Sequence, residues 1–216
     1  MAHQIKNFIF DIDGTLIDTK EMYMPAMMDV LADHGYPIPK DQQEAAMTKW
    51  FGITGADALR DAGVKEADIP VLQKDWNERC QHRMNLIKVI PGIPEVLQKL
   101  HDRPDTKLAI ATSKRHHEYF SQFADVYDFA KLFDVHILAD DTTKHKPDGE
   151  PVTAAMKRMG DMDPATTVYV GDTINDGLAA HNAGVKFAGA IYKSAMPDKI
   201  ADADFPLRHP EDLLTI

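Results

Sequence analysis

The chain has 216 residues, 44% of them hydrophobic, and a formal net charge of −10. That length suits one α/β domain with an elaboration, or two small domains. An acidic excess with no block of Lys and Arg to offset it argues against non-specific binding to nucleic acid or to an anionic membrane. Cys80 is the single cysteine, which excludes an internal disulfide and fits a reducing compartment. The apolar run before Asp11 is too short for a signal peptide, and no run approaches the length of a membrane span. A soluble, cytoplasmic protein is expected.

Lys6 to Phe10 reads as a short buried strand that stops at polar Asp11. Beyond Gly14-Thr15-Leu16-Ile17, Asp18 is expected to cap a helix running to about Asp33, which Gly35-Tyr36-Pro37 ends. A second helix is expected from near Asp41 to Trp50-Phe51, where Gly52-Ile53-Thr54-Gly55 breaks the pattern. Ala56 to Ala62 resumes it and stops at Gly63. Asp68 is placed to cap a fourth helix, with Pro70 in its first turn and Leu72, Trp76 and Cys80 on one stripe. Nothing from Asp18 to about Ile87 alternates like a strand. Residues 18–87 are therefore expected to form an inserted helical domain, and 1–17 with 88–216 a second one.

From Pro94 the pattern becomes regular. A helix is followed by strand Lys107–Ala111, a helix from Ser113, strand Val135–Leu138 and a helix from about Glu150. Strand Thr167–Val170, a helix from Thr173 and strand Phe187–Ile191 complete the series, with an edge segment near Phe205-Pro206-Leu207. Strands alternating with helices imply crossover units, and hence an α/β, doubly wound, mostly parallel sheet of Rossmann-like type. The apolar strands Leu108–Ala111 and Val168–Val170 suit burial on both faces.

In such a sheet ligands bind beyond the carboxyl ends of the strands. The first predicted strand is followed by Asp11 and Asp13, the second by Thr112-Ser113-Lys114. The third leads through Asp140-Asp141 to Lys144-His145-Lys146-Pro147, and the fourth runs into Gly171-Asp172-Thr173-Ile174-Asn175-Asp176. Asp11 and Asp13 are two positions apart at a strand end and can point the same way, which asks for a metal, a catalytic proton, or both. The whole inventory fits phosphoryl chemistry: carboxylates for a hard divalent cation, hydroxyl and amide donors for phosphate oxygens, and a lysine for charge. Alone, each piece has an ordinary explanation. Thr112-Ser113 could cap a helix starting at Lys114, Lys146 could be a surface lysine, and Asp176 could complement a helix dipole. Independent accidents would not fall at successive strand ends in one register.

Asp11-Ile12-Asp13-Gly14-Thr15-Leu16-Ile17-Asp18, Thr112-Ser113, Lys146-Pro147 and Gly171-Asp172-Thr173-Ile174-Asn175-Asp176 resemble the four ordered motifs of haloacid dehalogenase-superfamily phosphatases. The likeness runs over nearly the whole chain, and the segment around Lys146 is similar to the phosphoglycolate phosphatase and pyrophosphatase branch. It implies a catalytic core with a type-one helical cap at 18–87. It also implies that Asp11 is the nucleophile, that Asp13 is the general acid and base, and that Thr15 helps to hold Asp13. Mg²⁺ would be held by the Asp11 and Asp172 carboxylates and the Asp13 main-chain carbonyl. Asp176 would lie behind them, orienting a bound water or pairing with Lys146, while Thr112, the Ser113 amide and Lys146 receive the phosphate. A cap loop, Gly52, Ile53, Thr54 and Gly55, would close over the leaving group of a small phosphorylated metabolite. Trp50 and Phe51 beside that loop are equally suited to packing the cap core. Hydrolysis of a phosphate monoester ranks ahead of a phosphomutase or pyrophosphatase reaction on the same core. Asp13 and Asp172 count against the metal-free dehalogenases, and the helical insertion counts against a signalling receiver domain. Monomer and homodimer are both left open.

Overall fold

The structure, a computed structural model, describes residues 4–216. The chain divides into two units, Met1–Ile17 with Val89–Ile216, and Asp18–Lys88. Strand β1 (Asn7–Phe10) opens the first unit, and the short strands β2 (Ile17–Asp18) and β3 (Lys88–Val89) lie where the chain crosses between units.

The second unit is helical: α1 (Lys20–Asp33), α2 (Lys40–Trp50), α3 (Gly55–Asp61) and α4 (Ile69–Gln81), followed by a 3₁₀ turn. Met22, Met27 and Leu31 of α1 share one buried cluster with Leu59 of α3 and with Leu72 and Trp76 of α4. Unbranched methionine side chains fill the irregular space between crossing helices. The Trp76 indole N–H is satisfied by the Tyr23 carbonyl at 2.9 Å. One of the two expected caps differs. Thr19, not Asp18, occupies the N-cap of α1, and Asp18 accepts from the Lys20 amide at 3.4 Å. Asp68 occupies the N-cap of α4 as expected but makes no side-chain cap bond, and its carboxylate accepts from the Tyr36 hydroxyl at 2.7 Å.

The first unit continues with α5 (Ile93–His101), β4 (Lys107–Ala111), α6 (His116–Tyr119), β5 (Val135–Ile137), α7 (Glu150–Arg158), β6 (Thr167–Gly171), α8 (Ile174–Asn182), β7 (Lys186–Ala190) and β8 (Phe205–Leu207). Six strands form one sheet in the order β5-β4-β1-β6-β7-β8, and each neighbouring pair runs parallel. From β1 the chain builds outward through β4 to β5, then returns to the other side of β1 to lay down β6. The topological switch point therefore lies at β1 and β6, where ligands bind in open α/β sheets. Ile9 of β1 packs with Ala109, Tyr169 and the inner residues of α7 and α8. Phe8 and Phe10 point to the opposite face, as a period of two requires, and their rings lie 6.3 Å apart. Pro206 sits on the edge strand, the one place in a sheet where its missing N–H is harmless.

The largest departure from expectation comes directly after β4. No helix starts at Ser113. Thr112 instead accepts from the Lys114 amide at 3.3 Å, and α6 begins only after Arg115, whose N–H bonds the Glu118 carboxylate at 2.8 Å. A π-helical turn, Phe120–Ala124, continues it. The delay turns the Lys114 side chain inward, where it is 2% exposed.

Phe8 is fully buried whereas Val126 is 51% exposed. Phe8→Ala should lower the unfolding free energy by about 3–5 kcal/mol, and Val126→Ala by no more than ~0.5 kcal/mol, in chemical denaturation.

Candidate active site

The Asp11 amide donates to the Val170 carbonyl at 2.9 Å, so the first aspartate continues the β1–β6 ladder one step past the strand. The chain then folds back on itself. The Ile12 carbonyl accepts from the amides of Thr15, Leu16 and Ile17 at 3.2, 2.9 and 3.1 Å, and Gly14 N–H bonds Ile17 O at 2.8 Å. Gly14 has φ +75°, and a Cβ there would strike the Asp172 carboxylate. Glycine is needed at this position both for backbone conformation and for space.

Beyond β6, Thr173 caps α8. Its hydroxyl accepts from the Asp176 amide at 3.2 Å, while Asp176 Oδ2 accepts from the Thr173 amide and hydroxyl at 2.9 and 2.6 Å. This reciprocal cap occupies one oxygen of Asp176 and aims the other inward. Asp176 Oδ1 accepts from Lys146 Nζ at 2.7 Å and lies 3.3 Å from the Tyr169 hydroxyl. Lys146 Nζ also pairs with Asp11 Oδ2 at 2.9 Å. The loop carrying Lys146 is tied at both ends. Glu150 accepts from the amides of Thr143 and Lys144 at 3.1 and 2.9 Å, and Asn182 donates to Pro147 O at 2.8 Å.

Asp11, Lys146, Asp172 and Asp176 are all buried. Burial pushes the Asp11 carboxyl up to about 6, although Lys146 works against the rise. Burial, then the charges of Asp176 and Asp11, drives Asp172 well above the ordinary carboxylate range. Burial alone would lower Lys146, but Asp11 and Asp176 outweigh it and hold the ammonium well above its usual value. Too much negative charge is thus packed around one lysine. Asp11 Oδ1 and Asp172 Oδ2 are buried without a hydrogen-bond partner. Among the described residues, Asp11, Asp172 and Asp176 form a group whose carboxylate oxygens lie within 4.8 Å of one another and could hold a metal ion. Both oxygens of Asp176 already accept hydrogen bonds, so Asp11 and Asp172 carry the vacant lone pairs.

The structure thus brings Asp11, Asp13, Thr112, Lys146, Asp172 and Asp176 to the carboxyl ends of β1, β4 and β6 and to the loop beyond β5, with Ser113 next to Thr112. Thr15 behaves differently from expectation. It is fully buried, and its hydroxyl lies 3.4 Å from Asp172 Oδ1 rather than holding Asp13. In the helical unit, Gly55 is the first residue of α3 and not loop, and Thr54 is its N-cap, accepting from the Asp57 amide at 3.2 Å. Trp50 and Phe51 are buried in that unit's core, with the Trp50 indole donating to Asp61 at 2.6 Å. His145 faces the Ala139 carbonyl at 3.2 Å.

Sequence reasoning placed Lys114 at a strand end without its partner and missed Tyr169, Tyr192 and Ser194 as residues of the site. Lys114 Nζ pairs with Asp13 Oδ1 at 2.9 Å. The Tyr169 hydroxyl ties Asp176 to the Ala111 carbonyl, to which it donates at 2.7 Å. After β7, Tyr192 donates to Thr15 O at 3.0 Å and Ser194 to Asp172 O at 2.5 Å, so this strand end braces the backbones of both acidic segments. Tyr192 and Ser194 carried a usable signal, because both lie just past the carboxyl end of a strand, where polar site residues gather in a parallel sheet.

A family model described as haloacid dehalogenase-like hydrolase matches residues 8–190. Pyrophosphatase PpaX of Halalkalibacterium halodurans is 30% identical over 215 residues, covering 99% of this chain and 97% of that protein. A phosphoglycolate phosphatase of Caulobacter vibrioides is 31% identical over 185 residues, covering 82% of this chain and 75% of its own. The crystal structure of a hydrolase from Pseudomonas syringae superposes with a TM-score of 0.81 at 25% identity, covering 97% and 96% of the two chains. A match over most of the chain, converging with a lysine-bridged aspartate cluster at the switch point of a parallel sheet, leads to one conclusion: the chain belongs to the haloacid dehalogenase-like hydrolases and is an enzyme of their phosphatase kind.

Proposed function

We propose that this enzyme is a Mg²⁺-dependent phosphatase that hydrolyses a small phosphate monoester, phosphoglycolate-like or a sugar phosphate, through an aspartyl-phosphate on Asp11. The observation that carries the reading is the pair of buried, unpartnered oxygens, Asp11 Oδ1 and Asp172 Oδ2, beside the Lys146 ammonium. Mg²⁺ would be held by the Asp11 and Asp172 carboxylates and the Asp13 main-chain carbonyl, and it would supply charge neutralisation of the phosphate oxygens. Asp176 stays behind, since its oxygens serve Lys146, Tyr169 and the α8 cap.

The Asp11 carboxylate attacks phosphorus in line, the phosphorus–ester oxygen bond breaks, and Asp13 gives its proton to the leaving oxygen. Asp13 then takes a proton from water as that water attacks phosphorus, releasing inorganic phosphate and restoring the Asp11 carboxylate. Lys146 neutralises nucleophile and phosphate together. Thr112 already accepts from the Lys114 amide, so its hydroxyl proton is suited to a phosphate oxygen. A second reading, with inorganic pyrophosphate as substrate, is favoured by the 30% identity to a pyrophosphatase along nearly the full chain.

The purified protein should release phosphate from p-nitrophenyl phosphate with Mg²⁺ and lose that activity in EDTA; an unchanged rate in EDTA would refute the metal assignment. Asp11→Asn should abolish turnover with an unaltered circular dichroism spectrum, and retained activity would reject Asp11 as nucleophile. Mg²⁺ at about a hundred times its Kd should stabilise the protein by ~2.7 kcal/mol, read from denaturation midpoints, and Asp172→Asn should remove that gain. A panel of phosphoglycolate, sugar phosphates and pyrophosphate then separates the two substrate readings.

A further inference from the structure

We propose that Lys114 is a positioning residue that fixes the Asp13 carboxylate for proton transfer, a role resting on the acid/base reading of Asp13. Burying an ammonium is unfavourable unless its hydrogens are satisfied and its charge is paired. Lys114 is 2% exposed and meets both conditions: Nζ pairs with Asp13 Oδ1 at 2.9 Å and donates to Gln122 Oε1 at 2.8 Å. The Asp13 side chain retains 13% exposure against 2% for Lys114, so the lysine lies on the inner side of the carboxylate and does not itself reach a reacting group.

The support is rigid at each step. The Lys114 amide donates to Thr112 Oγ1 at 3.3 Å, and its carbonyl accepts from the Ala139 amide at 2.9 Å, which roots the side chain between the ends of β4 and β5. Gln122 comes from the π-helical turn, beside fully buried Phe123, and is itself 2% exposed. Such turns recur where a side chain must be re-aimed at a functional site. Gln122 is also the right chemical type. Its amide oxygen accepts a hydrogen bond without bringing a second negative charge, so the Lys114 charge stays with Asp13. With Oδ1 engaged by the ammonium, the carboxylate is held in one orientation. The site uses two buried lysines in parallel: Lys146 backs the nucleophile, and Lys114 backs the acid.

The test compares kcat/KM, which reports steps up to phosphoryl transfer, for two esters. p-Nitrophenyl phosphate has a leaving oxygen that departs without a proton, whereas phenyl phosphate leaves as a phenol of pKa about 10, like tyrosine's. Lys114→Met should lower kcat/KM for phenyl phosphate by roughly 10- to 100-fold, within the range of general acid catalysis, and for p-nitrophenyl phosphate by less than ~3-fold. In an Asp13→Asn background Lys114→Met should cause no further loss, because a residue acting through Asp13 has nothing left to position. Equal losses on both esters, or additive losses in the double variant, would overturn the proposal. If Asp13→Asn alone shows no dependence on the leaving group, the acid/base reading itself fails and takes the proposal with it. Should Lys114→Met not fold, Gln122→Met keeps the charge but removes one anchor. It should show the same split between esters at smaller size, and its absence would reject the role.

Discussion

The ammonium of Lys146 lies between Asp11 and Asp176, 2.9 Å from one and 2.7 Å from the other, with all three side chains almost fully buried. Without it, carboxylates within 4.8 Å of one another would face each other in a poorly solvated site. At an effective dielectric constant near 20, each such pair of like charges repels by roughly 3 kcal/mol or more. One lysine cannot neutralise Asp11, Asp172 and Asp176 together, and the orphaned oxygens on Asp11 and Asp172 are the residue of that shortfall. Charge left unpaired inside a fold is the structural form that a cation-binding, phosphate-binding site takes.

Holding these charges still requires other elements. Asp176 serves at once as α8 cap and as Lys146 partner, so the start of a helix and the polar cluster are set by one carboxylate. Tyr169 passes from Asp176 to the Ala111 carbonyl and links β6 to the end of β4. Thr15 reaches Asp172, Tyr192 reaches the Thr15 carbonyl, and Ser194 reaches the Asp172 carbonyl. The ends of β1, β4, β6 and β7 are thus cross-tied by side chains. That arrangement pre-organises donors and charges before substrate arrives, which is where most electrostatic catalysis originates.

The two lysines show how one residue type serves different carboxylates. Lys146 arrives on a loop pinned by Glu150 and Asn182 and meets Asp11. Lys114 arrives directly after β4, on backbone kept out of the helix, and meets Asp13. Each is only 2% exposed at its side chain, yet they come from well-separated segments of the chain and approach adjacent aspartates from different strand ends.

The alternation of strands and helices, the parallel sheet and the aspartates, hydroxyl and lysine at its carboxyl ends were all legible in the chain. The reason is that hydrophobic period and strand termini are local properties. Asp11, Asp13, Asp172 and Asp176 fall just past the carboxyl ends of the paired strands β1 and β6, and Lys146 reaches them on the loop beyond β5. Partner choice was not legible. Whether Thr15 serves Asp13 or Asp172 depends on a contact across 157 positions, and Tyr192 reaches Thr15 across 177. Nor did the local pattern show that the helix after β4 starts late, because Ser113 and Lys114 are acceptable helix-start residues and the pairing of Lys114 with Asp13 is a long-range contact. The sequence by itself determined which residues stand at the strand ends. The tertiary structure decided which of them pair, since buried charges choose partners by distance and desolvation, and neither is a property of the neighbouring residues in the chain.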